Sequence, residues 1–365
     1  MSRQRKSSER NRPEGPETAG HSEKNPSRPD EKPDRSERTT TTHRETAEGP
    51  ITEYRAETWE DLQTLLFEDA WRPDIGRVRS PYVFRGQSNA AYGLETSLQR
   101  FLGGSERWDL EWHLLKSFNH YARDELQQVP FGAEFKAIAQ HHGLPTRLLD
   151  WTYSPYVAAY FATRGRQDVD GLIWAVDYRT IHEHAPDEFR ELFDDADLSV
   201  FDASGIDDVA VSLLREMGVD FGVIRNGGTT HILKYTQLWE QMAAAYPDDF
   251  VVFYEAPAID DRIINQSALF STTGNPSTRI DEWLAEMAAE AVRRIIVPAE
   301  RKAEFRDRLV QANITAKTLF PGLDGVAAWL CEYFRPPAKA DGTAASIPIP
   351  EAARSPGRGD LRSGS

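Results

Sequence analysis

The apolar side chains of this 365-residue chain are confined to its middle, and that decides where a core can form. Residues 1–50 are Ser, Thr, Pro, Glu, Arg and Lys for the most part, and Ile51 is the first β-branched aliphatic. Such a stretch cannot bury enough apolar surface to offset the ordering entropy of its backbone, so residues 1–50 are expected to be disordered. The stretch 336–365, which opens on Pro-Pro and continues in Gly, Ala, Ser and Arg, reads the same way. One folded domain is expected over 51–335, a length that a single core can support.

Charge and cysteine content narrow the function. The two tails hold 15 of the 43 basic and 13 of the 58 acidic side chains, which leaves 28 basic against 45 acidic in 51–335. A body this acidic repels a phosphate backbone, and a general DNA- or RNA-coating role is disfavoured. Net charge leaves a small basic pocket open. The single cysteine, Cys331, excludes a disulfide framework and a Cys-based zinc site, and fits a reducing compartment. Its neighbours Trp329, Leu330 and Phe334 lead us to expect it buried and inert. No apolar run approaches the ~20 residues of a membrane helix, and the N-terminus has no apolar signal-type core. The expectation is a cytoplasmic protein with no membrane partner.

Periodicity gives a coarse element map. Thr58 followed by Trp59, Leu62, Leu65 and Leu66 has helical spacing and an N-cap, so 58–70 is expected to be a helix. Further helices are expected over 108–127, 135–142, 154–164, 280–292 and 301–311. Strands are expected at 82–84, 171–176, 250–254 and 294–298, with 148–150 a strand or turn and 259–270 a helix or loop leading into a strand. The acidic stretch 180–223 reads as a variable insertion, with His182 and His184 at the surface. The alternation of helices and strands points to an α+β fold, a single mixed-sheet domain with surrounding helices. No Gly-rich strand-to-helix phosphate loop is present, so Rossmann and P-loop readings fail.

Two regions concentrate polar groups between apolar flanks. The first is FKAIAQHHGLPTRLLDWTYSPYVAAYFA over 135–162. It packs Gln140, His141, His142, Thr146, Arg147, Asp150, Trp151 and Thr152 where polar atoms are either satisfied internally or aimed into a cleft. An Arg147–Asp150 ion pair against Trp151 would account for this structurally, since paired charges can be buried. The second is Tyr82-Val-Phe-Arg-Gly-Gln-Ser-Asn89. Arg85 ends a hydrophobic strand beside Gly86, which lets a ligand or a backbone come close. An Arg there suits forked recognition of phosphate or carboxylate, and its structural alternative is a salt bridge. His141 and His142 are adjacent and cannot share one helical face, so no metal site is expected. A His beside Gln140 and Asp150 could accept a proton, or simply hold the loop.

The strings Phe84-Arg85-Gly86-Gln87, Ala139-Gln140-His141-His142-Gly143-Leu144-Pro145-Thr146-Arg147-Leu148-Leu149-Asp150-Trp151-Thr152 and Pro155-x-x-Ala158-x-x-Phe161-Ala162 resemble the FRG domain. Arg262-Ile-Ile-Asn-Gln266-x-x-Leu-Phe270, Arg294-Ile-Ile-Val-Pro298 and Leu319-Phe-Pro-Gly-Leu-Asp-Gly325 extend the resemblance to about 55–334. The family occurs in stand-alone bacterial and phage-associated proteins, so the resemblance implies a bacterial protein, and a place in phage defence goes with a non-catalytic recognition module.

The order of motifs is also similar to the Arg–Ser–Glu class of NAD-dependent ADP-ribosyltransferases. That resemblance implies that Arg85 holds NAD phosphates, that Thr152 and Ser154 support a nicotinamide pocket, and that Gln266 takes the place of the class's Glu. A carboxylate stabilises the oxocarbenium-like ribosyl cation, whereas Gln accepts a hydrogen bond without supplying charge, a difference of about 3–4 kcal/mol in the barrier. Either Asp150 or Glu255 supplies that charge, or the fold binds a nucleotide without this chemistry. The resemblance thus implies catalytic roles for Arg85, Thr152, Gln266 and Asp150, and the residues themselves add His141 as a candidate proton acceptor. NAD as substrate would be held by Arg85, Gly86, Gln87, Gln140, Thr146, Arg147, Trp151 and Ser154, and ADP-ribose would pass to a macromolecular acceptor. The alternative is a non-catalytic module that recognises a protein or nucleic-acid feature.

Overall fold

The computed structural model of the chain describes residues 50–122, 132–190, 201–202, 207, 212, 246–255 and 261–335. Residues 1–49 and 336–365 of the expected tails lie outside these residues, as do most of the acidic stretch 180–223 and the end of the 108–127 helix.

The centre is an eight-stranded sheet whose middle strands are buried on both sides. Its members are β1 (Thr52–Arg55), β4 (Tyr82–Gln87), β5 (Leu149–Thr152), β6 (Gly171–Asp177), β7 (Phe201–Asp202), β8 (Val251–Glu255), β9 (Ala268–Thr273) and β10 (Val292–Val297), in the order β1-β10-β6-β4-β5-β9-β8-β7. Neighbours run antiparallel except at the two ends, where β1 pairs parallel with β10 and β7 with β8. Two short strands, β2 (Trp71–Arg72) and β3 (Arg77–Val78), form a separate hairpin. The fold is α+β, as the alternation of patterns predicts.

Successive residues of a strand point to opposite faces, and here both faces are apolar. Val83 and Phe84 are consecutive and both fully buried. Phe84, Ile173, Ala175 and Ile295 pack under helices Trp59–Phe67, Pro155–Thr163 and Lys302–Gln311. Val83, Leu149, Trp151, Leu172, Trp174 and Phe253 form the opposite core with helices Tyr178–His182 and Ile280–Met287. Local chemistry fixes the helix starts. Thr58 and Asp61 make a reciprocal capping box, and Ser154 caps a helix that opens on Pro155.

Helix Pro155–Thr163 lies so close to the sheet that two strands carry glycine beneath it. A Cβ on Gly86 would sit 1.8 Å from the Ala158 carbonyl oxygen, and one on Gly171 would sit 2.3 Å from that of Ala162. The recurring Ala158 and Ala162 are the helix's side of the same close approach.

Several expectations change. The 82–84 strand runs on through Arg85, Gly86 and Gln87, because these pair with β6. The 280–292 helix stops at Met287 and gives way to a 3₁₀ turn, Ala289–Ala291, ahead of β10. His182, expected at the surface, is only 3% exposed, because its helix packs on β8 and its ring meets Tyr178 and Phe253. Cys331, expected buried, is exposed. Its helix, Leu323–Tyr333, packs through Gly325 and Ala328 and turns Leu323, Leu330 and Tyr333 outward. Among the described residues no helix is long and apolar enough to cross a membrane.

Candidate functional site

The sheet has a seam at its centre. Strand β4 pairs with β6 through six registered positions but with β5 through one, Phe84↔Thr152. Beyond that pair a side chain replaces the backbone ladder, where Arg85 Nη1 donates to the Asp150 carbonyl oxygen at 2.5 Å. Gly86 faces helix Pro155–Thr163, so strand alternation turns Arg85 to the other face.

Arg85 is incompletely satisfied there. Its side chain is 19% exposed, and its nearest carboxylate oxygen, Asp150 Oδ2, stands 3.8 Å from Nη1. Its occluded Nε has no hydrogen-bond acceptor among the described residues. Burial holds the guanidinium down to about 10, with Arg100 adding repulsion and Asp150 opposing both. It remains charged at neutral pH, so the seam contains a partly desolvated cation.

Asp150 is 54% exposed and is aimed by a relay. Gln140 Nε2 donates to its Oδ1 at 2.8 Å, and the Gln140 Oε1 accepts from the Thr146 hydroxyl. That hydroxyl also accepts from Leu148 N. Thr146 is itself stitched to helix Ser97–Leu102: its N donates to Ser97 Oγ, and its carbonyl oxygen accepts from Ser97 Oγ and Leu98 N. Gln140, Thr146, Asp150 and Arg85 therefore come together as one polar unit.

The other motif residues have different partners. Arg147 does not pair with Asp150. Its N and Nε donate to Glu111 at 2.8 and 2.6 Å in a pair only 3% and 1% exposed. Sequence reading missed Glu111 because nothing in a single chain links positions 36 residues apart. Gln87 is used on both sides, accepting from Trp174 Nε1 and donating to the Gly93 carbonyl. Trp151 is in the core and donates to Ser271 Oγ. The Thr152 hydroxyl donates to the Gln266 carbonyl and accepts from Ser154 N, and Ser154 is occupied as a helix cap. The Gln266 side chain donates to the Leu319 carbonyl at 3.0 Å. His141 is half-buried at the end of its helix, with its ring edge-on to His142. Glu255 accepts from the Tyr153 hydroxyl at 2.8 Å. Asp150 is thus the carboxylate standing beside Arg85.

One further charged residue lies on the helix that is stitched to Thr146, outside the sequence motifs. Arg100, on helix Ser97–Leu102, donates from Nη1 to the Glu95 carbonyl at 2.5 Å, and burial lowers its pKa from the usual arginine value, with Glu95 and then Asp150 opposing the shift. The capping box Thr96-x-x-Gln99 predicts that helix, and would have brought Arg100 into view.

A protein-family model, the FRG domain, matches residues 80–171, the span that contains all of this unit. No curated protein and no solved structure matches the chain.

Proposed function

The chain carries an FRG domain, and from that premise we propose that the β4/β5 seam binds the anionic part of a nucleotide, with NAD as the substrate. The observation that carries this reading is Arg85 itself. It is a half-buried guanidinium with an occluded, bare Nε and a carboxylate only at 3.8 Å, set in a molecule of formal charge −15. A guanidinium in that state gains by taking a phosphate, to which it can donate two parallel hydrogen bonds.

The proposed reaction is ADP-ribosyl transfer or hydrolysis. The bond from the ribose C1′ to the nicotinamide nitrogen breaks, and neutral nicotinamide leaves with the bonding pair. A nucleophile on a macromolecular acceptor, or water, bonds to C1′ and releases its proton to solvent. The Gln266 side chain is committed to Leu319. Asp150 is therefore the group to stabilise the ribosyl cation, with Gln140 holding its orientation.

The test is calorimetric and thermal-shift titration of the full chain with NAD, AMP and ADP-ribose, followed by an assay for nicotinamide release. Arg85→Ala should lose binding at least tenfold while its melting temperature stays within a few degrees of wild type. A folded wild-type protein that ignores all three ligands at millimolar concentration would sink the proposal. A second reading is favoured by the internal satisfaction of Gln87, Thr152, Ser154 and Gln266. On it the seam is a recognition site of a non-catalytic module, and nucleotide binding with no nicotinamide release identifies it.

A further inference from the structure

We infer that the outward face of helix Leu323–Tyr333 is a self-association surface, on which a second copy of this chain lies antiparallel through the same face. The helix is inverted relative to an ordinary surface helix, whose apolar stripe turns inward. Its inner side is small or polar. Gly325 and Ala328 are buried, and Glu332 accepts from the Tyr160 hydroxyl at 3.2 Å and pairs with Arg164 Nε at 3.3 Å. A Cβ on Gly325 would stand 1.7 Å from the Phe320 carbonyl oxygen, so the helix is pressed onto the body on this side and held there by an ion pair. On the outer side Leu323, Tyr333 and Phe334 are 86%, 61% and 71% exposed, and Val326 and Leu330 are 41% and 40% exposed.

Area, charge and spacing all name a second copy as the occupant. At about 200 Å² for a large apolar side chain, these five leave roughly 600 Å² open, most of the ~800 Å² that each partner gives to a stable interface. The formal charge of −15 sets two copies against each other over most of their surface. This helix carries two charged residues, Asp324 and Glu332, and Glu332 faces inward. The face therefore brings one carboxylate per copy to the contact. Leu323, Val326, Leu330 and Tyr333 are spaced three, four and three apart, the seam of a helix pair. That spacing reads the same in both directions. A two-fold antiparallel pairing sets Leu323 against the partner's Tyr333 and Val326 against the partner's Leu330, so each large residue meets an apolar counterpart, as an isologous contact requires.

Sedimentation velocity of the full-length protein across the micromolar range should show a species of twice the monomer mass that gains population with concentration. Leu323→Glu puts a charge on a side chain that the monomer leaves in water. It should raise the dissociation constant at least tenfold while the melting temperature of the dilute protein stays at the wild-type value. Leu330→Glu should do the same. Ala327 is exposed, and the antiparallel pairing brings its two copies within about 5 Å of each other along the axis. Ala327→Cys in a Cys331→Ser background should therefore give a disulfide-linked dimer under mild oxidation, and adding Leu323→Glu should abolish it. A wild-type chain that stays monomeric throughout overturns the inference. A dimer that survives Leu323→Glu and Leu330→Glu together is built on another surface, and the inference again fails. A dimer that yields no cross-link through Ala327→Cys overturns the antiparallel arrangement.

Discussion

Two arginines of the motif strings do opposite things, and their surroundings say which. Arg147 is sealed against Glu111 with its backbone N bound to the same carboxylate, so its charge is matched inside the fold. Arg85 is under-matched and borders the Asp150 carboxylate at a distance too long for a hydrogen bond. Removing the partner of a sealed charge leaves the other charge buried alone, which costs about 3–5 kcal/mol. Glu111→Gln should therefore lower unfolding free energy by roughly that amount in urea melts, whatever it does to ligands. A Glu111→Gln protein as stable as wild type would show that Arg147 finds other compensation. In the sequence both arginines looked equally available. An FRG-type string names the residues but not their partners, and Glu111 belongs to a helix whose pattern gave no reason to link it to the string. The Arg85–Asp150–Gln140–Thr146 unit was legible because its members lie within the two polar strings themselves.

At the scale of elements, the glycines of the motif strings divide by cause. Gly86 has an ordinary backbone and no room, because helix Pro155–Thr163 crosses β4 within van der Waals contact. Gly143 has open space but a φ of +88°, a conformation that costs a residue with a Cβ about 1–2 kcal/mol. Gly86→Ala must push the helix off the sheet, so it should cost about 3 kcal/mol or more, beyond the usual penalty of one extra methyl. Gly143→Ala should cost about 1 kcal/mol. Differential scanning calorimetry of the pair checks this, and equal losses would mean that the helix can slide. Long periodic elements such as Pro155–Thr163 and β6 were readable because an apolar pattern records burial. The pattern of β1, Thr-Glu-Tyr-Arg, was not, because all four residues are half-buried and half polar. Hairpin β2–β3 was invisible for a related reason, since Trp71 and Val78 are exposed and carry no core signal.

At the scale of the whole molecule, the sheet is two half-sheets joined along the seam where Arg85 sits. β1, β10, β6 and β4 lie on one side, and β5, β9, β8 and β7 on the other, with one registered backbone pair between them. Cohesion across the seam therefore falls to the shared core and to side chains that reach over it. His182 is one of these: it follows β6 in the chain, and its Nε2 accepts from Phe253 N of β8 at 2.8 Å. Accepting that bond requires the neutral ring, and burial pushes its pKa down to about 3 from an ordinary 6.5. The sign follows from which state takes the proton. Below pH 6.5 the unfolded chain protonates His182 and the folded chain does not, so this contribution is complete above 6.5 and is lost as pH falls toward 3. Half-buried Asp177 and Asp249 shift upward instead, and act in the opposite direction, so wild-type acid unfolding alone cannot isolate the histidine. His182→Gln keeps an acceptor for Phe253 N and has nothing to titrate. Between pH 5.5 and 4, wild-type unfolding free energy should fall more steeply than that of His182→Gln by about 1.4 kcal/mol per pH unit, the slope of one proton. Parallel slopes would mean that the ring takes its proton without leaving the fold, and that the seam is held by the apolar core alone.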